Sequence, residues 1–179
     1  MNRDLRAFVG GTGFALFGKI RLGIWFFVQH LVFKSPVLPS KCRRLLLKIF
    51  GASVGRGVII RRGVRVHIPW NLTIGDNCWI GEEVWVINHE KVIIRSNVCI
   101  SQRSIICSGG HDYRSSSLQY AHKTIEIKEG AWICLDAKVL PGVTIGKCSV
   151  ISAGEVARKS VPDYSMLIDG HIRPIEPPK

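Results

Sequence analysis

From residue 54 onward an aliphatic side chain returns at every sixth position. The series runs Val54, Ile60, Val66; Ile74, Ile80, Val86; Ile94, Ile100, Ile106; and, after a gap, Ile127, Ile133, Val139, Ile145, Ile151 and Ala157. Fourteen of these fifteen are Ile or Val. A six-residue period of this kind predicts a parallel β-helix. Each step is a very short strand plus a corner, and three steps close one coil. The aliphatic side chain points inward and stacks on its equivalents in neighbouring coils, which hydrogen-bond at about 4.8 Å. Glycine keeps the same phase. Gly55, Gly75, Gly81 and Gly146 fall at second positions; Gly57, Gly63, Gly109, Gly130, Gly142 and Gly154 fall at fourth positions. Corners that need unusual backbone angles explain that phase.

Grouped in threes, the steps begin new coils at residues 54, 74, 94, 127 and 145. Five coils would stand about 24 Å tall. The first two carry two extra residues each, which must bulge near residues 70–73 and 88–93. The third spacing, 33 residues, holds an insertion over residues 109–126, and Ser108, Gly109, Gly110, His111, Asp112 and Tyr113 stand at its entrance. A solenoid this short leaves open ends. An N-terminal extension (1–50) and a tail (163–179) are expected to cover the ends of the ladder domain (51–162).

Residues 5–33 are rich in large apolar side chains, but Lys19 and Arg21 interrupt them, and the last unbroken run, residues 24–28, is short. This reads as too broken for a membrane-spanning helix. Arg3, Arg6, Lys34, Lys41, Arg43, Arg44 and Lys48 surround the stretch against a single acid, Asp4. Two readings stand: a helix lying in a membrane interface with an apolar face and basic flanks, or one packed on the ladder or on a partner subunit. Pro36 and Pro39 end the segment. A second helix is predicted over residues 40–50, with Ser40 as N-cap and Gly51 as its stop.

Charge narrows the partners. Lys and Arg total 25 against 13 Asp and Glu, a net +12, which favours an anionic partner. No basic run interleaved with aromatics and no zinc-finger or RNP-like motif is present, so nucleic acid ranks last. The six cysteines (42, 78, 99, 107, 134, 148) include no Cys-x-x-Cys pair. They read as buried free thiols of a reducing compartment. No small-residue cleavage site follows a clean apolar core, so no signal peptide is assigned.

Three stretches, RRLLLKIFGASVGRGVIIRRGVRVHIPWNLTIGDNCWIGEEVWVIN, SNVCISQRSIICSGGHDY and GAWICLDAKVLPGVTIG, resemble the hexapeptide-repeat acyltransferases. Within that family the chain is most similar to bacterial exopolysaccharide O-acetyltransferases of the colanic acid biosynthesis type. The resemblance covers about residues 41–175. It implies an all-β, left-handed parallel β-helix, a homotrimer with active sites between subunits, acetyl-CoA as donor and direct transfer without an acyl-enzyme. No metal is expected. The basic, apolar N-terminus adds an expected location: cytoplasmic, peripheral on the inner face of the membrane, where a lipid-linked or nascent glycan would be met. The polar residues 114–122 are expected to reach a neighbouring subunit's acceptor site.

His111 matches the family's catalytic histidine, in a Gly-His-Asp context. A neutral imidazole can take a proton from a sugar hydroxyl as that oxygen attacks a thioester. Asp112 would touch the acceptor or form a loop turn. Asn88 matches an acceptor-binding asparagine; otherwise it is a corner residue. Glu126 would orient the histidine or simply be solvated. Trp132 matches a tryptophan that flanks coenzyme A, and backbone N–H groups near Cys134 and Leu135 would stabilise an oxyanion. Arg158 and Lys159 fall where family members meet the coenzyme's phosphates. Asp169, Gly170, His171 and Ile172 replace the family's Gly-Asn-Pro-Ala, so Arg173 alone is carried over from that tail.

Three rivals remain. The acceptor could be serine, an antibiotic or a free sugar. The β-helix also builds gamma-class carbonic anhydrases, and His67, His89 and His111 are evenly spaced at 22 residues. They occupy different phases of the repeat, so they converge on a zinc ion only if the bulges shift them. The last rival is a scaffold without chemistry.

Overall fold

The structure, a computed structural model, describes residues 16–177. Arg3, Asp4 and Arg6 therefore lie outside the described residues.

The ladder is a three-faced parallel β-solenoid. Face A stacks Ser53–Val54, Leu72–Ile74, Val92–Ile94, Ile125–Ile127 and Thr144–Ile145. Face B stacks Ile59–Ile60, Trp79–Ile80, Cys99–Ile100, Trp132–Ile133, Val150–Ile151 and Ser165–Ile168. Face C stacks Arg65–Val66, Trp85–Ile87, Ile105–Cys107, Lys138–Val139 and Val156–Ala157. The register is the one the period predicts: Val54 pairs Ile74, Ile74 pairs Ile94, Ile94 pairs Ile127, and Ile127 pairs Ile145. All fifteen first-position residues are buried. Each such aliphatic side chain contributes roughly 1.5–3 kcal/mol by leaving water.

The ladder runs further than five coils. Val161 bridges Ile145, and Ser165–Ile168 extends face B, giving about six turns. The tail ends as an antiparallel hairpin, Ser165–Ile168 with His171–Pro174. Its turn is Asp169 and Gly170, both left-handed at φ 51° and 73°, as a two-residue hairpin turn requires.

The ladder glycines divide by physical cause. Fourth positions are left-handed at Gly57, Gly63, Gly130, Gly142 and Gly154, and also at Asn77, Glu83, Asn97, Arg103, Asp136 and Cys148. The second-position glycines have no positive φ. A Cβ at Gly55, Gly75, Gly81 or Gly146 would lie 2.3–2.8 Å from atoms of the next coil, so these four leave room for a neighbour. That corrects the reading of all ladder glycines as corner angles.

The corner from face C to face A breaks the rule in the first three coils. Its fourth positions, Pro69, His89 and Gly109, are not left-handed, and the extra residues enter here. Side chains replace the missing regular backbone bonds. The Asn88 amide accepts from Ile68 N (2.9 Å) and donates to Ile68 O (2.6 Å). Asn71 Nδ2 donates to Asn88 O and His89 O. Ser108 Oγ accepts from Glu90 N and donates to Glu90 O.

Two helices, α1 (Leu16–Val28, continued by a π-helical turn at Gln29–Phe33) and α2 (Ser40–Ile49), cover the first coil. They do so by capping its free backbone groups. Trp25 Nε1 donates to Val66 O at 2.7 Å, and Gln29 Oε1 accepts from Val66 N. Ser40 Oγ accepts from Ile60 N, and Arg44 donates to Val58 O. Buried Arg43 donates to the carbonyls of Phe33, Ser35 and Ile60. Ser40 is thus inside α2, after Pro39 at the N-cap, and its hydroxyl serves the ladder rather than the helix. Gly51 follows the helix at φ 92°, the stop expected of it.

The helical run Leu16–Phe33 is continuous and passes a test of length and composition for crossing a membrane, a test that a helix packed on a soluble core passes equally, so no spanning segment is assigned. Leu22, Trp25 and Phe33 dock on the ladder side. Phe17, Ile20, Ile24, Phe27 and Leu31 repeat at intervals of three and four and form an exposed apolar stripe. The six cysteines are free; Cys78 is buried and the others are only half-buried.

Candidate active site

The insertion folds back on itself as a short antiparallel hairpin at the C-to-A edge. Ala121 N donates to Gly110 O at 2.8 Å, Asp112 N to Gln119 O at 2.8 Å, and Lys123 N to Ser108 O at 3.0 Å. His111 bridges Tyr120 in the same ladder. The tip turns at residues 112–118, where Asp112 Oδ1 accepts from Arg114 N. Asp112 is therefore a turn-former in this arrangement. The turn leaves Leu118 left-handed at φ 50°, a conformation that a side chain with a Cβ rarely takes. It aims the Leu118 carbonyl at the histidine: His111 Nδ1 lies 2.6 Å from Leu118 O.

That contact decides the tautomer. A carbonyl only accepts, so Nδ1 carries the hydrogen in this contact. A histidine ring oriented by a backbone carbonyl in this way suits proton transfer chemistry. Neither Leu118 nor the hairpin's folding was legible as a functional feature, because a carbonyl leaves no residue-type signal.

A row of rings stands beside His111. His111 and Tyr120 have centroids 5.1 Å apart, Tyr120 and His122 4.7 Å, His122 and His89 4.9 Å, and His89 and His67 4.5 Å. Phe26 of α1 closes the row against His67 at 5.2 Å. Burial drives the His67 pKa down to about 4, with His89 adding to the effect. Burial also lowers His89 and His122, reinforced by neighbouring imidazoles. The even spacing of His67, His89 and His111 is thus only partly spatial. The bulges do bring His67 and His89 together, but the third stacked ring is His122. His89 and His122 lie face to face with 16° between their planes, and His67 is tilted by 42° against His89. Among the described residues no group of three His, Cys, Asp or Glu is placed to hold a metal ion.

The remaining predicted residues fall elsewhere. Asn88 is fully buried with its amide bonded to Ile68, so it supports the corner beneath the site and offers no face to an acceptor. Glu126 pairs with Arg95 at 2.6 Å, away from His111. Trp132 lies on face B, half exposed, with Nε1 donating to Ser101 Oγ at 2.9 Å. Leu135 is exposed nearby. The Cys134 N–H is bonded to Ile151 O of the next coil and is not free for an oxyanion. Arg158 and Lys159 are exposed at the C-to-A edge, two coils beyond His111. They line a cleft of about 240 Å³ with Glu155, Leu167, Gly170 and Ile172. Arg173 sits on the exposed hairpin strand above. Their positive charge fits a phosphate-bearing ligand.

Comparison with known proteins places this geometry. The WcaF protein of Escherichia coli (strain K12), whose name assigns it to colanic acid biosynthesis as an acetyltransferase, is 37% identical over 161 residues. The match spans 89% of this chain and 88% of that protein. The chain belongs to the hexapeptide-repeat acetyltransferases. No protein-family model matches it. Two solved structures share the fold of this acetyltransferase. A galactoside acetyltransferase in complex with coenzyme A superposes with a TM-score of 0.80 at 23% identity, over 96% of this chain and 88% of that one. A hexapeptide-repeat acetyltransferase of Vibrio cholerae O1 biovar eltor, complexed with acetyl coenzyme A, superposes with a TM-score of 0.75 at 22% identity, over 86% and 83%.

Proposed function

We propose that the chain transfers acetyl from acetyl-CoA to a sugar hydroxyl of an exopolysaccharide or other cell-surface glycan, with His111 as general base. One observation carries this: the 2.6 Å contact from His111 Nδ1 to Leu118 O orients the ring of an exposed histidine at the break in the ladder. Nε2 takes the hydroxyl proton as the oxygen bonds to the thioester carbonyl carbon. The C–S bond then breaks, and the departing thiolate recovers the proton from the imidazolium. Trp132 packs the coenzyme, and Arg158, Lys159 and Arg173 hold its phosphates. His111 stands on the C-to-A edge, across the solenoid from face B, where Trp132 stands. This separation supports a trimer in which neighbouring subunits complete each site, as does the resemblance noted above.

The exposed stripe from Phe17 to Leu31, with Lys19, Lys34 and Lys48 around it, supports a peripheral position on the inner face of the cytoplasmic membrane. Apolar insertion plus attraction to anionic lipid headgroups would bring a lipid-linked glycan to the enzyme.

The test is mass spectrometry of surface polysaccharide from cells with and without the protein, together with thiol release from acetyl-CoA by wild type and His111→Ala. Loss of one acetyl group per repeat and a roughly 10³-fold fall in turnover are expected for a general base. Equal turnover by the two proteins defeats the assignment of His111. An unchanged polysaccharide defeats the acceptor class. Membrane fractionation after deleting residues 1–34 checks the location; unchanged association sinks it.

A further inference from the structure

His122 touches the same loop as His111 from the other side. Its Nδ1 accepts a hydrogen bond from Gly110 N at 3.2 Å, and Gly110 is the residue before His111. The Gly110 carbonyl is held by Ala121 N at 2.8 Å. Both polar groups of that peptide neighbour are thus fixed by residues 121 and 122, and no side chain can take over. A Cβ on Gly110 would lie 3.1 Å from Ala121 O. His122 also reaches His111 through Tyr120, ring to ring. Behind it the ring of His89 lies nearly parallel, with 16° between the planes, and Gly109 packs so tightly on His89 that a Cβ would come within 2.6 Å of its Cδ2.

We infer that His122 is a positioning residue for His111, holding Gly110 through a hydrogen bond that only the neutral imidazole, with its proton on Nε2, can accept. This rests on the reading of His111 as base. A proton on Nδ1 would face the Gly110 N–H, donor against donor, and release the Gly109–Gly110 peptide immediately before His111. The groups facing His122 set its charge. His89 stacks on it, His67 stands behind His89, Tyr120 covers the other side, and His111 and Glu90 act at slightly longer range. Burial and the imidazole of His111 disfavour the cation; Glu90 opposes them. The column therefore keeps the acceptor neutral at pH values where an isolated histidine would begin to charge. The enzyme then loses activity on the acid side by two protonations, one at the base and one at its support.

The experiment measures thiol release from acetyl-CoA with methyl β-galactoside as probe acceptor, across pH, for wild type, His111→Ala, His122→Phe and His122→Asn. Phe keeps the stack and removes the acceptor; Asn places an amide oxygen near the position of Nδ1. His122→Phe is expected to lose up to about 10²-fold in kcat through displacement of the base, with KM for acetyl-CoA unchanged. His122→Asn is expected to recover most of that loss, and its kcat/KM to fall with one proton where wild type falls with two. Wild-type kcat in His122→Phe overturns the inference, as does equal impairment of the two variants. If His122→Phe does not fold, the steepness of the acid limb in His122→Asn decides: an unchanged slope overturns it. An active His111→Ala overturns the reading of the base instead.

Discussion

Two kinds of corner turn this chain. At the regular corners the fourth residue of a step goes left-handed and the backbone returns to bond the neighbouring coil. At the C-to-A edge of the first three coils no fourth residue is left-handed. There Asn88, Asn71 and Ser108 add side-chain bonds between coils, the imidazoles of His89 and His122 stack, and the hairpin carrying His111 leaves the ladder. The regular corners resist change so that the irregular edge can be irregular. A packed solenoid on either side supplies the stability that one unusual edge gives up.

The comparison is most sharply tested by damaging each region separately. Ile100→Ala, at a fully buried ladder position, should cost about 2–5 kcal/mol of stability through lost burial and a cavity. Thermal melting should drop markedly while kcat, measured well below the transition, stays near wild type. A large kcat loss in the still-folded variant would mean that ladder and site are not separable.

Leu118→Pro works in the opposite direction. Proline cannot take the φ of 50° that aims the Leu118 carbonyl at His111. The expected loss in kcat is up to about 10²-fold, with little change in melting, because the hairpin tip buries little. Unchanged kcat would show that the carbonyl does not orient the base.

Gly57→Ala tests a regular corner. Its φ is 66° and a Cβ would meet Asn77 Oδ1 at 2.3 Å. A loss of about 1–2 kcal/mol is expected from the left-handed backbone alone, read as a lower melting temperature with intact activity.

The smallest effect is on pH. His67 holds its pKa near 4 in the folded state against 6.5 as a free side chain. Above 6.5 both states are neutral and nothing is lost. As pH falls from 6.5 towards 4 the unfolded chain takes up a proton that the folded chain refuses, so stability falls across that window. Melting temperatures should decline over it by a few degrees, and less so in His67→Phe, which keeps a ring against Phe26. An equal decline in the variant would remove His67 as the cause.

The five coils of the ladder were legible in the sequence, because each step repeats the same local demand for an aliphatic residue inside; the sixth turn, beyond the period, was not. Register followed from the period, down to the pairing of Ile94 with Ile127 across the insertion. The place of His111 at that break, in its Gly-His-Asp context, was also readable from the sequence. The tertiary structure decided the rest. Of the two readings of Asn88, its burial and its bonds to Ile68 fit the corner residue; Ser40 looked like a helix cap and bonds Ile60. Residues 67, 89 and 122 share no phase of the repeat, and Leu118 contributes only a carbonyl. Such contacts depend on how bulges and a hairpin offset the coils from one another, and those offsets are settled only when the coils stack.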